Sequence, residues 1–525
     1  MTPAEPHELR RWLSAGAHAV KRARERLDAI NVFPVPDADT GTNMYLTLRE
    51  GNRAVAKLPP SATHREVVAA FARGALLGAR GNSGVIISQY LSAFLSRVDA
   101  EGGLASAGPS AIARAMNEAA DAAYRAVGDP VAGTILTVAR AAAEGAREAA
   151  DRKEGRTEVA VSAVVAARAA LRATTDELPA AKAARVVDAG AAGLLLQLEM
   201  LAETLGGPSA LDHLDDVAWE LAPSTQGVAV VAATHAEGPQ GGAYEVMFVV
   251  RDVEAAGGDI DRIRDALMAL GDSVAVTGTH GLVQAHVHTD DPDAAVEVGI
   301  RAKAHQIVVS ALGIGHDDSH DAHPTRPLPT RPHTTAAHTD TGLVALTSCP
   351  GLAAPLADAG AIVLVVPDPH QFKRRELRRA VRDATSARVV IAPGNGPLRT
   401  AAEELAARKP RAGITVVPSD HEAQVIAAVA AGSMATPGED VVALMRDAVE
   451  RCRTASSSPD SLDDDVDRLL TARVDVITLV LATGVPEGVV DAVRLSAAAV
   501  CPAADIVVYR GGHVSPGILI GVEES

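Results

Sequence analysis

Apolar residues recur at helical spacing through the first part of the chain. Leu9, Leu13 and Val20 share one face of a predicted helix that begins near residue 7, and Leu27 continues that face. Ala-rich segments predict further helices near 64–77, 83–98, 109–127, 134–150, 157–174 and 190–205, separated by short glycine-containing loops. The pattern predicts an all-α domain over residues 1–207.

Strand patterns begin after this helical region. Short apolar runs predict strands at 227–234, 243–251, 273–278 and 282–289, and helices are predicted at 259–270 and 292–302. The order β-β-α-β-β-α is typical of a small α/β sandwich, which we place at residues 224–312. Residues 313–340 are rich in His, Pro and Thr and predict a disordered linker.

Strands and helices alternate again in the last third of the chain. Strands are predicted at 342–348, 361–367, 387–393 and 413–418, a pattern typical of a parallel sheet. Further strands at 474–482, 503–510 and 517–523 predict a final portion of sheet, and residues 456–468 are interpreted as a loop. The fold class is therefore multidomain α and α/β, with a C-terminal α/β domain over 341–525.

Composition narrows the classes of function. A chain of 525 residues has room for roughly three domains, and aromatic residues make up only 2% of it, so Ala, Val and Leu must fill the cores. The net charge of −17 argues against a nucleic-acid partner. One basic cluster, Lys373–Arg379, is interpreted as the solvated face of a helix, with a docking patch for an acidic partner as the alternative. We expect a cytoplasmic protein without a signal peptide or membrane span.

Two aspartates lie one residue apart in the stretch "NVFPVPDADTGTNM", residues 31–44. Asp37 and Asp39 would repel each other unless a cation lies between them, and the flanking Pro34 and Pro36 stiffen the loop. Mg²⁺ commonly takes one or two carboxylates and completes its shell with water and phosphate oxygens. A plain Asx turn is the alternative.

Two further glycine-rich turns favour the metal interpretation. "GARGNSGVI" (78–86) and "VVDAGAAGL" (186–194) each run into a predicted helix, where free backbone amides attract phosphate. Neither a Walker A nor a Rossmann glycine pattern occurs in the sequence. Together, the three loops predict a metal–nucleotide site in the all-α domain.

The motifs resemble those of a known family. Residues 31–44 closely resemble the signature loop of DhaL-like kinases, which carry a DAK2 domain. Residues 81–86 are similar to that family's second phosphate turn and residues 188–193 to its nucleotide-binding turn. The similarity continues through 270–292 and 507–523, which favours the catalytic subunit of bacterial fatty acid kinase over a glycerone kinase.

The resemblance implies a function, cofactors and a partner. Fatty acid kinases transfer the γ-phosphoryl group of ATP, with Mg²⁺, to a fatty acid on a separate lipid-binding carrier subunit, and the product is an acyl phosphate. The C-terminal domain would dock that carrier, and dimerisation through the middle domain is a hypothesis from the same resemblance. Two alternatives stay open: a glycerone-type small-molecule kinase, and a non-catalytic scaffold that senses nucleotide.

The resemblance also assigns residues. Asp37 and Asp39 would ligate Mg²⁺, with Asn31 as a secondary ligand. The expected phosphate-binding residues are Thr40, Gly41, Thr42, Asn43, Asn82 and Ser83, and the nucleotide pocket would be completed by Gly133, Asp188 and Gly190. Arg80 is our candidate for easing the repulsion between ATP and a fatty carboxylate. Ala38 replaces the family's usual glycine, and we expect metal binding to be tolerated only if its φ is below zero.

Histidines form a second candidate site. His286 and His288 lie on one face of a predicted strand and could hold Zn²⁺ with Glu245 or Asp290, although the cysteine that completes this site in related kinases is absent. Structural histidines are the favoured interpretation. The linker histidines His316, His320, His323, His333 and His338 are read as solvated, Cys349 as a core residue and "APGNGP" (392–397) as a plain turn.

Overall fold

The computed structural model describes residues 7–207, 209–211, 242–251, 260–279, 281–312, 341–370, 372, 374–384, 386–410, 413–436, 438–486 and 488–524. The chain divides into two compact units. The first, here called the helical unit, comprises residues 1–241 and 259–287, and the second, the sheet unit, comprises 242–258 and 288–525. The predicted strand at 227–234 and the predicted linker at 313–340, with its five histidines, lie outside the described residues. The predicted domain boundaries stay a prediction.

Nine described helices precede the first strand. They are α1 (His7–Ala29), α2 (Thr40–Val55), α3 (His64–Gly78), α4 (Gly81–Ala100), α5 (Pro109–Ala126), α6 (Ile135–Asp151), α7 (Arg156–Glu177), α8 (Pro179–Ala184) and α9 (Ala189–Gly206). The predicted all-α region is confirmed, but α2 and the short α8 were not predicted. The segment Thr40–Asn43, which follows the paired aspartates, is the first turn of α2, with Asp39 as its N-cap residue.

Small side chains let these helices approach closely. A Cβ atom at Gly145 of α6 would lie 2.7 Å from the carbonyl oxygen of Ser162 in α7. Trp12 and Phe94 are among the few aromatic residues in this core, and their rings meet edge to face with centroids 5.1 Å apart. The low aromatic content therefore reflects a core in which alanine and glycine bring helix backbones together.

The middle of the chain contributes β1 (Tyr244–Arg251), α10 (Ile260–Met268), β2 (Gly271–Thr279), β3 (Leu282–Thr289), α11 (Pro292–Arg301) and β4 (Gln306–Ala311). Strands β2 and β3 are neighbours in the sheet order. Strand β4 was not predicted. It pairs antiparallel with β1 in the sheet unit, so that Phe248 lies opposite Ile307.

The sheet unit continues with β5 (Thr341–Thr347), α12 (Ala353–Asp358), β6 (Ala361–Val365), α13 (Arg374–Asp383), β7 (Arg388–Pro393), α14 (Gly396–Arg408), β8 (Ile414–Val416) and α15 (Glu422–Ser433). Its main sheet has the order β1-β4-β6-β5-β7-β8. The strands β6, β5, β7 and β8 run parallel, as predicted. Strand β4 joins them by pairing antiparallel with β6.

A second sheet of four strands completes the sheet unit. Its elements are α16 (Val441–Arg451), β9 (Cys452–Ser457), α17 (Leu462–Leu469), β10 (Val474–Leu481), α18 (Gly488–Val500), β11 (Asp505–Arg510) and β12 (Ile518–Glu524), and the strand order is β11-β10-β12-β9. The loop predicted at 456–468 is wrong, because α17 occupies most of it. Leu462, Val466 and Leu469 recur at helical spacing and are buried, and acidic residues fill the first turn, where they complement the helix dipole.

The sheet unit contains three features that the sequence predicted: a basic cluster, a core cysteine and a turn at 392–397. In the basic cluster, Arg375 and Arg378 of α13 are exposed but Arg379 is buried, so only part of the cluster is a solvated face. Cys349 is buried, and burial together with the nearby Glu422 carboxylate raises the pKa of its thiol, as expected of a core cysteine. In the 392–397 turn, Asn395 caps α14 by accepting from the backbone N–H of Leu398 at 3.0 Å.

Candidate active site

The paired aspartates lie at the start of α2. Asp37 is exposed and Asp39 half-buried, and Asp39 holds the N-cap position without a capping hydrogen bond from its own side chain. The carbonyl oxygen of Asp39 accepts the first helical bond, from the N–H of Asn43, at 2.8 Å. The loop therefore presents two carboxylates, one residue apart, beside the N-terminus of a helix.

Asn31 is buried beneath this loop and organises it. Its Nδ2 donates to the carbonyl oxygen of Val35 at 2.7 Å and to Oδ1 of Asp37 at 3.0 Å. Its Oδ1 is buried and has no hydrogen-bond partner among the described residues. The amide thus fixes Asp37 with its donor side and leaves its oxygen, a suitable ligand for a hard cation, uncommitted.

The condition that we set at Ala38, a φ below zero, is not met. Its φ is 56°, in the left-handed region. This conformation costs a residue with a Cβ about 1–2 kcal/mol, but it is sterically reachable. The backbone therefore does not meet the condition that we set for metal binding, which stays a prediction, and the loop carries the strain of an alanine in a glycine-like conformation.

Asp28, which the sequence analysis missed, holds the first turn of α2. Its Oδ1 accepts from the backbone N–H of Thr42 at 2.8 Å, and its Oδ2 accepts from the Thr42 hydroxyl at 2.7 Å. Burial raises the pKa of Asp28, and these hydrogen bonds oppose that rise. A phosphate contact at Thr42 would have to replace these two bonds, so Thr42 fits the predicted role less well than its neighbours. Gly41 is needed for packing, since a Cβ there would lie 2.4 Å from the carbonyl oxygen of Arg24.

The second glycine-rich turn lies against the first. The hydroxyls of Thr40 and Ser83 are 3.2 Å apart. A Cβ on Gly81, whose φ is +52°, would lie 2.6 Å from Nδ2 of Asn43. Asn82 adjoins this contact, and its buried Oδ1 has no hydrogen-bond partner among the described residues. The structure thus brings together the hydroxyl and amide groups that the motifs predicted for phosphate.

Arg80 is the residue before α4 and is almost completely buried, with 6% of its surface exposed. Its guanidinium donates to the carbonyl oxygen of Gly78 at 3.2 Å. Its backbone N–H donates to Oγ1 of Thr47, a residue that the sequence analysis also missed, at 3.3 Å. Arg80 therefore lies at the predicted turn and contributes to its structure.

The third turn joins two helix N-termini. Asp188 caps α9 by accepting from the N–H of Ala191 at 2.7 Å, and it also accepts from the backbone of Ile135, the first residue of α6. Gly190 lies beside Ile135, at 3.5 Å for a Cβ placed there. Gly133, with φ of +79°, precedes the α6 cap residue Thr134. Burial raises the pKa of Asp188 to about 6.

Four helices begin at the same end of the helical unit. The N-terminal turns of α2 and α4 meet at Asn43 and Gly81. The N-terminal turns of α2 and α9 meet at Met44 and Gly193, and Asp188 joins α9 to α6. Each N-terminus carries a partial positive charge, so this end of the unit favours an anion such as a nucleotide phosphate, although Asp28 and Asp188 already accept from some of the first-turn amides.

The histidine pair has a third potential ligand. Ligand atoms of Glu245 and His288, which both belong to the sheet unit, lie within 4.8 Å of each other, and His286 and His288 are both buried. Asp290, the other residue considered, is outside this group, and its Oδ1 accepts from the N–H of Ala243 at 2.8 Å. Two imidazoles and a carboxylate suit Zn²⁺, and its binding stays a prediction.

Two regions of the chain are similar to known protein domains. Residues 34–203 match the DAK2 domain, and residues 241–318 match the FakA-like middle domain of fatty acid kinases. The chain thus contains one region similar to the DAK2 domain and a second region similar to the FakA-like middle domain. Both regions are therefore similar to domains found in kinases.

Relatives extend the similarity. Protein YloV of Bacillus subtilis is 34% identical over 284 residues, which are 53% of this chain and 50% of YloV. The uncharacterized protein SH1689 of Staphylococcus haemolyticus is 27% identical over 456 residues, 84% of this chain and 79% of that protein. The uncharacterized protein SAB1090 of Staphylococcus aureus is 28% identical over 465 residues, 86% of this chain and 81% of its own length. The chain thus spans only about half of YloV but most of the two staphylococcal proteins.

Within the part of the chain that the structure describes, every helix is too short or too polar to cross a bilayer.

Proposed function

We propose that this protein uses ATP and Mg²⁺ to phosphorylate a fatty acid that a separate lipid-binding protein presents, and that the product is an acyl phosphate. One observation carries the proposal: Asp37 and Asp39 lie at the end of the helical unit where the N-termini of α2, α4, α6 and α9 gather. The match of residues 241–318 to the FakA-like middle domain of fatty acid kinases supports the choice of acceptor.

Three residues would hold the metal. The carboxylates of Asp37 and Asp39 supply hard oxygen ligands, and the uncommitted Oδ1 of Asn31 is a third candidate. Bound Mg²⁺ would neutralise charge on the transferring phosphoryl group. The hydroxyls and amides at Thr40, Asn43, Asn82 and Ser83 would orient the phosphates, and the segments at Gly133, Asp188 and Gly190 would bound the nucleotide.

The acceptor explains why no general base is required. A fatty carboxylate should ionise near the reference value for glutamate, about 4.3, so it is already an anion at neutral pH. An alcohol acceptor would instead need a group that removes its proton. The remaining difficulty is repulsion between two anions, and Arg80, at the start of α4, is placed at the turn where a positive charge would reduce it.

Trapping the product tests this function. Hydroxylamine converts an acyl phosphate to a hydroxamate, so the intact chain, ATP, Mg²⁺ and a fatty-acid-loaded carrier should yield hydroxamate. Asp37→Asn and Asp39→Asn should each lower the rate by at least about 100-fold, since they remove charge from the metal site. Asp151→Asn, an exposed aspartate at the last residue of α6, is the matched control and should leave the rate unchanged.

The outcomes separate the alternatives. Phosphorylation of dihydroxyacetone without hydroxamate would support a glycerone-type kinase instead. Nucleotide binding without turnover of either acceptor would support a regulatory scaffold. Full activity in both Asp37→Asn and Asp39→Asn would show that these two carboxylates are not needed for the reaction.

A further inference from the structure

The hairpin of β2 and β3 contacts the turns at which the predicted nucleotide site lies. It falls within the region that matches the middle domain, yet residues 259–287 group with the helical unit. Val127, just after α5, forms an antiparallel bridge with Ala275 of β2. The N–H of Gly128 donates to the carbonyl oxygen of Val274 at 2.8 Å. The hairpin is thereby paired with the segment that leads to Gly133 and the start of α6.

The same hairpin reaches the turn before α4. Gln284 of β3 has 1% of its surface exposed, and its Nε2 donates to the carbonyl oxygen of Ala79 at 2.8 Å. Because a carbonyl can only accept, this contact fixes which end of the Gln284 amide faces the turn. Ala275 of β2 forms a small buried apolar cluster with Ala79 and Val85. One hairpin therefore contacts the approaches to two of the four helix N-termini.

The peptide group between Ala79 and Arg80 is held from both sides. Its C=O accepts from Gln284, and its N–H donates to Oγ1 of Thr47 in α2. The two groups belong to one rigid plane, so these bonds fix the orientation of the chain as it enters Gly81. The Thr47 hydroxyl donates in turn to the carbonyl oxygen of Asn43 at 2.7 Å. This arrangement links the metal-loop helix, the phosphate turn and the hairpin.

We propose that Gln284 is a positioning residue for the 79–83 phosphate turn, and that the β2–β3 hairpin completes a nucleotide site which residues 34–203 do not complete alone. The inference rests on the proposed function, since it assumes that this turn binds nucleotide. Gln284 acts through the backbone of the turn rather than by touching nucleotide or metal.

The first test compares two buried glutamines in the intact chain. Gln284→Leu removes the bond to Ala79, whereas Gln306→Leu, on β4 of the sheet unit, removes a glutamine that is also buried, with 5% exposed. A neutral hydrogen bond of ordinary strength predicts about fivefold weaker binding of Mg·ATP in Gln284→Leu and no change in Gln306→Leu. The KM for ATP should rise more than kcat falls. A purely structural role would lower the melting temperature and leave nucleotide affinity at the wild-type value, which would overturn the inference.

Hydrogen exchange on the wild-type chain provides a second test that does not depend on a variant folding. Mg·ATP should slow amide exchange at 79–86 and 188–192 and also across 271–287 of the hairpin. Protection of the helix starts without the hairpin would overturn the inference and leave the proposed function intact. No protection anywhere at saturating Mg·ATP would overturn both.

Discussion

Several residues around the carboxylate loop, residues 31–44, adopt conformations or environments that reduce stability. Ala38 adopts a φ that favours glycine, and Asp188 is a carboxylate buried between two helix starts. Asn31 uses its donor side on Asp37 and Val35 and keeps a buried oxygen uncommitted among the described residues. Such local costs are typical of sites in which backbone and charge are held ready for a ligand.

The strain at Ala38 can be measured. Ala38→Gly should stabilise the helical unit by about 1 kcal/mol, because relief of the left-handed strain exceeds the entropy that glycine adds to the unfolded chain. Lys153→Gly is a matched control, since Lys153 has a φ of 64° in a turn after α6. Denaturant unfolding followed by the fluorescence of buried Trp12 would report both changes.

Two substitutions at Ala38, to Gly and to Val, should have different effects on the affinity for Mg·ATP. Affinity for Mg·ATP should stay the same or improve in Ala38→Gly and be unaffected in Lys153→Gly. Ala38→Val should weaken it, since a β-branched residue tolerates positive φ poorly. A less stable Ala38→Gly protein would show that the loop does not carry this strain.

Asp188 should make stability depend on pH. Its pKa is raised from 3.8 to about 6, mainly by burial, so the folded chain holds this proton more tightly than the unfolded chain. The contribution favours folding fully below pH 3.8 and is lost as the pH rises through about 6. The total change is on the order of 3 kcal/mol.

An isosteric variant isolates this effect. Asp188→Asn keeps an oxygen that can cap α9 but cannot ionise, so it should flatten the stability profile between about pH 4 and 6. Unfolding at several pH values, with Asp151→Asn as the exposed control, would measure the difference. An unchanged profile in Asp188→Asn would mean that the pKa of this carboxyl is not raised.

At the scale of elements, the sequence predicted most helices and strands but missed those whose signal was polar or brief. Helix α2 begins with Thr-Gly-Thr-Asn, which looks like a turn until Asp28 caps it from the preceding helix. Helix α17 is rich in aspartate, and its three apolar positions alone mark it. Strand β4 is six residues long and follows a helix closely, without an alternating pattern.

Sequence patterns also predicted only part of the candidate active site. The carboxylates and glycine turns form recognisable local motifs, whereas Asp28, Thr47 and Gln284 act through contacts between distant parts of the chain. Gln284 and Ala79 are 205 residues apart in sequence. No local pattern distinguishes a buried glutamine that faces a phosphate turn from one that fills a strand, so only the fold reveals it.

Glu422 joins two elements of the sheet unit. It begins α15 and accepts from the N–H and hydroxyl of Ser348, both at 2.7 Å, and from the Thr347 hydroxyl at 2.8 Å, at the end of β5. Glu422→Ala should destabilise the sheet unit by about 3 kcal/mol, because it removes three hydrogen bonds to a buried carboxylate. Glu403→Ala, in an exposed i,i+4 pair with Arg399, should cost less than about 1 kcal/mol.

Amide hydrogen exchange can test whether Glu422 stabilises the contact between α15 and β5. Amides of β5 should exchange much faster in Glu422→Ala than in Glu403→Ala or the wild-type chain. Equal exchange in the two variants would show that Glu422 does not fasten the strand to the helix.

At the scale of the whole molecule, the packing of the helical unit suggests where an acyl chain is held. Helices α6 and α7 approach to the point where Gly145 and Ser162 leave no space for a Cβ, and the core is built largely from alanine. A long acyl chain needs a deep apolar cleft that encloses most of its surface. We therefore expect a partner to bury the chain and only the carboxylate to reach Asp37 and Asp39.

If a partner buries the acyl chain, formation of acyl phosphate should depend completely on the carrier. The purified chain with ATP, Mg²⁺ and free fatty acid should form no acyl phosphate above background, and adding a lipid-carrier protein should restore it. Nucleotide binding should not need the carrier, since the residues assigned to it all lie in the helical unit. Measuring Mg·ATP affinity and hydroxamate formation in parallel, with and without carrier, separates the two requirements. Robust product without any partner would place the acyl chain in this protein, and loss of nucleotide binding without carrier would mean that the site is incomplete in this chain.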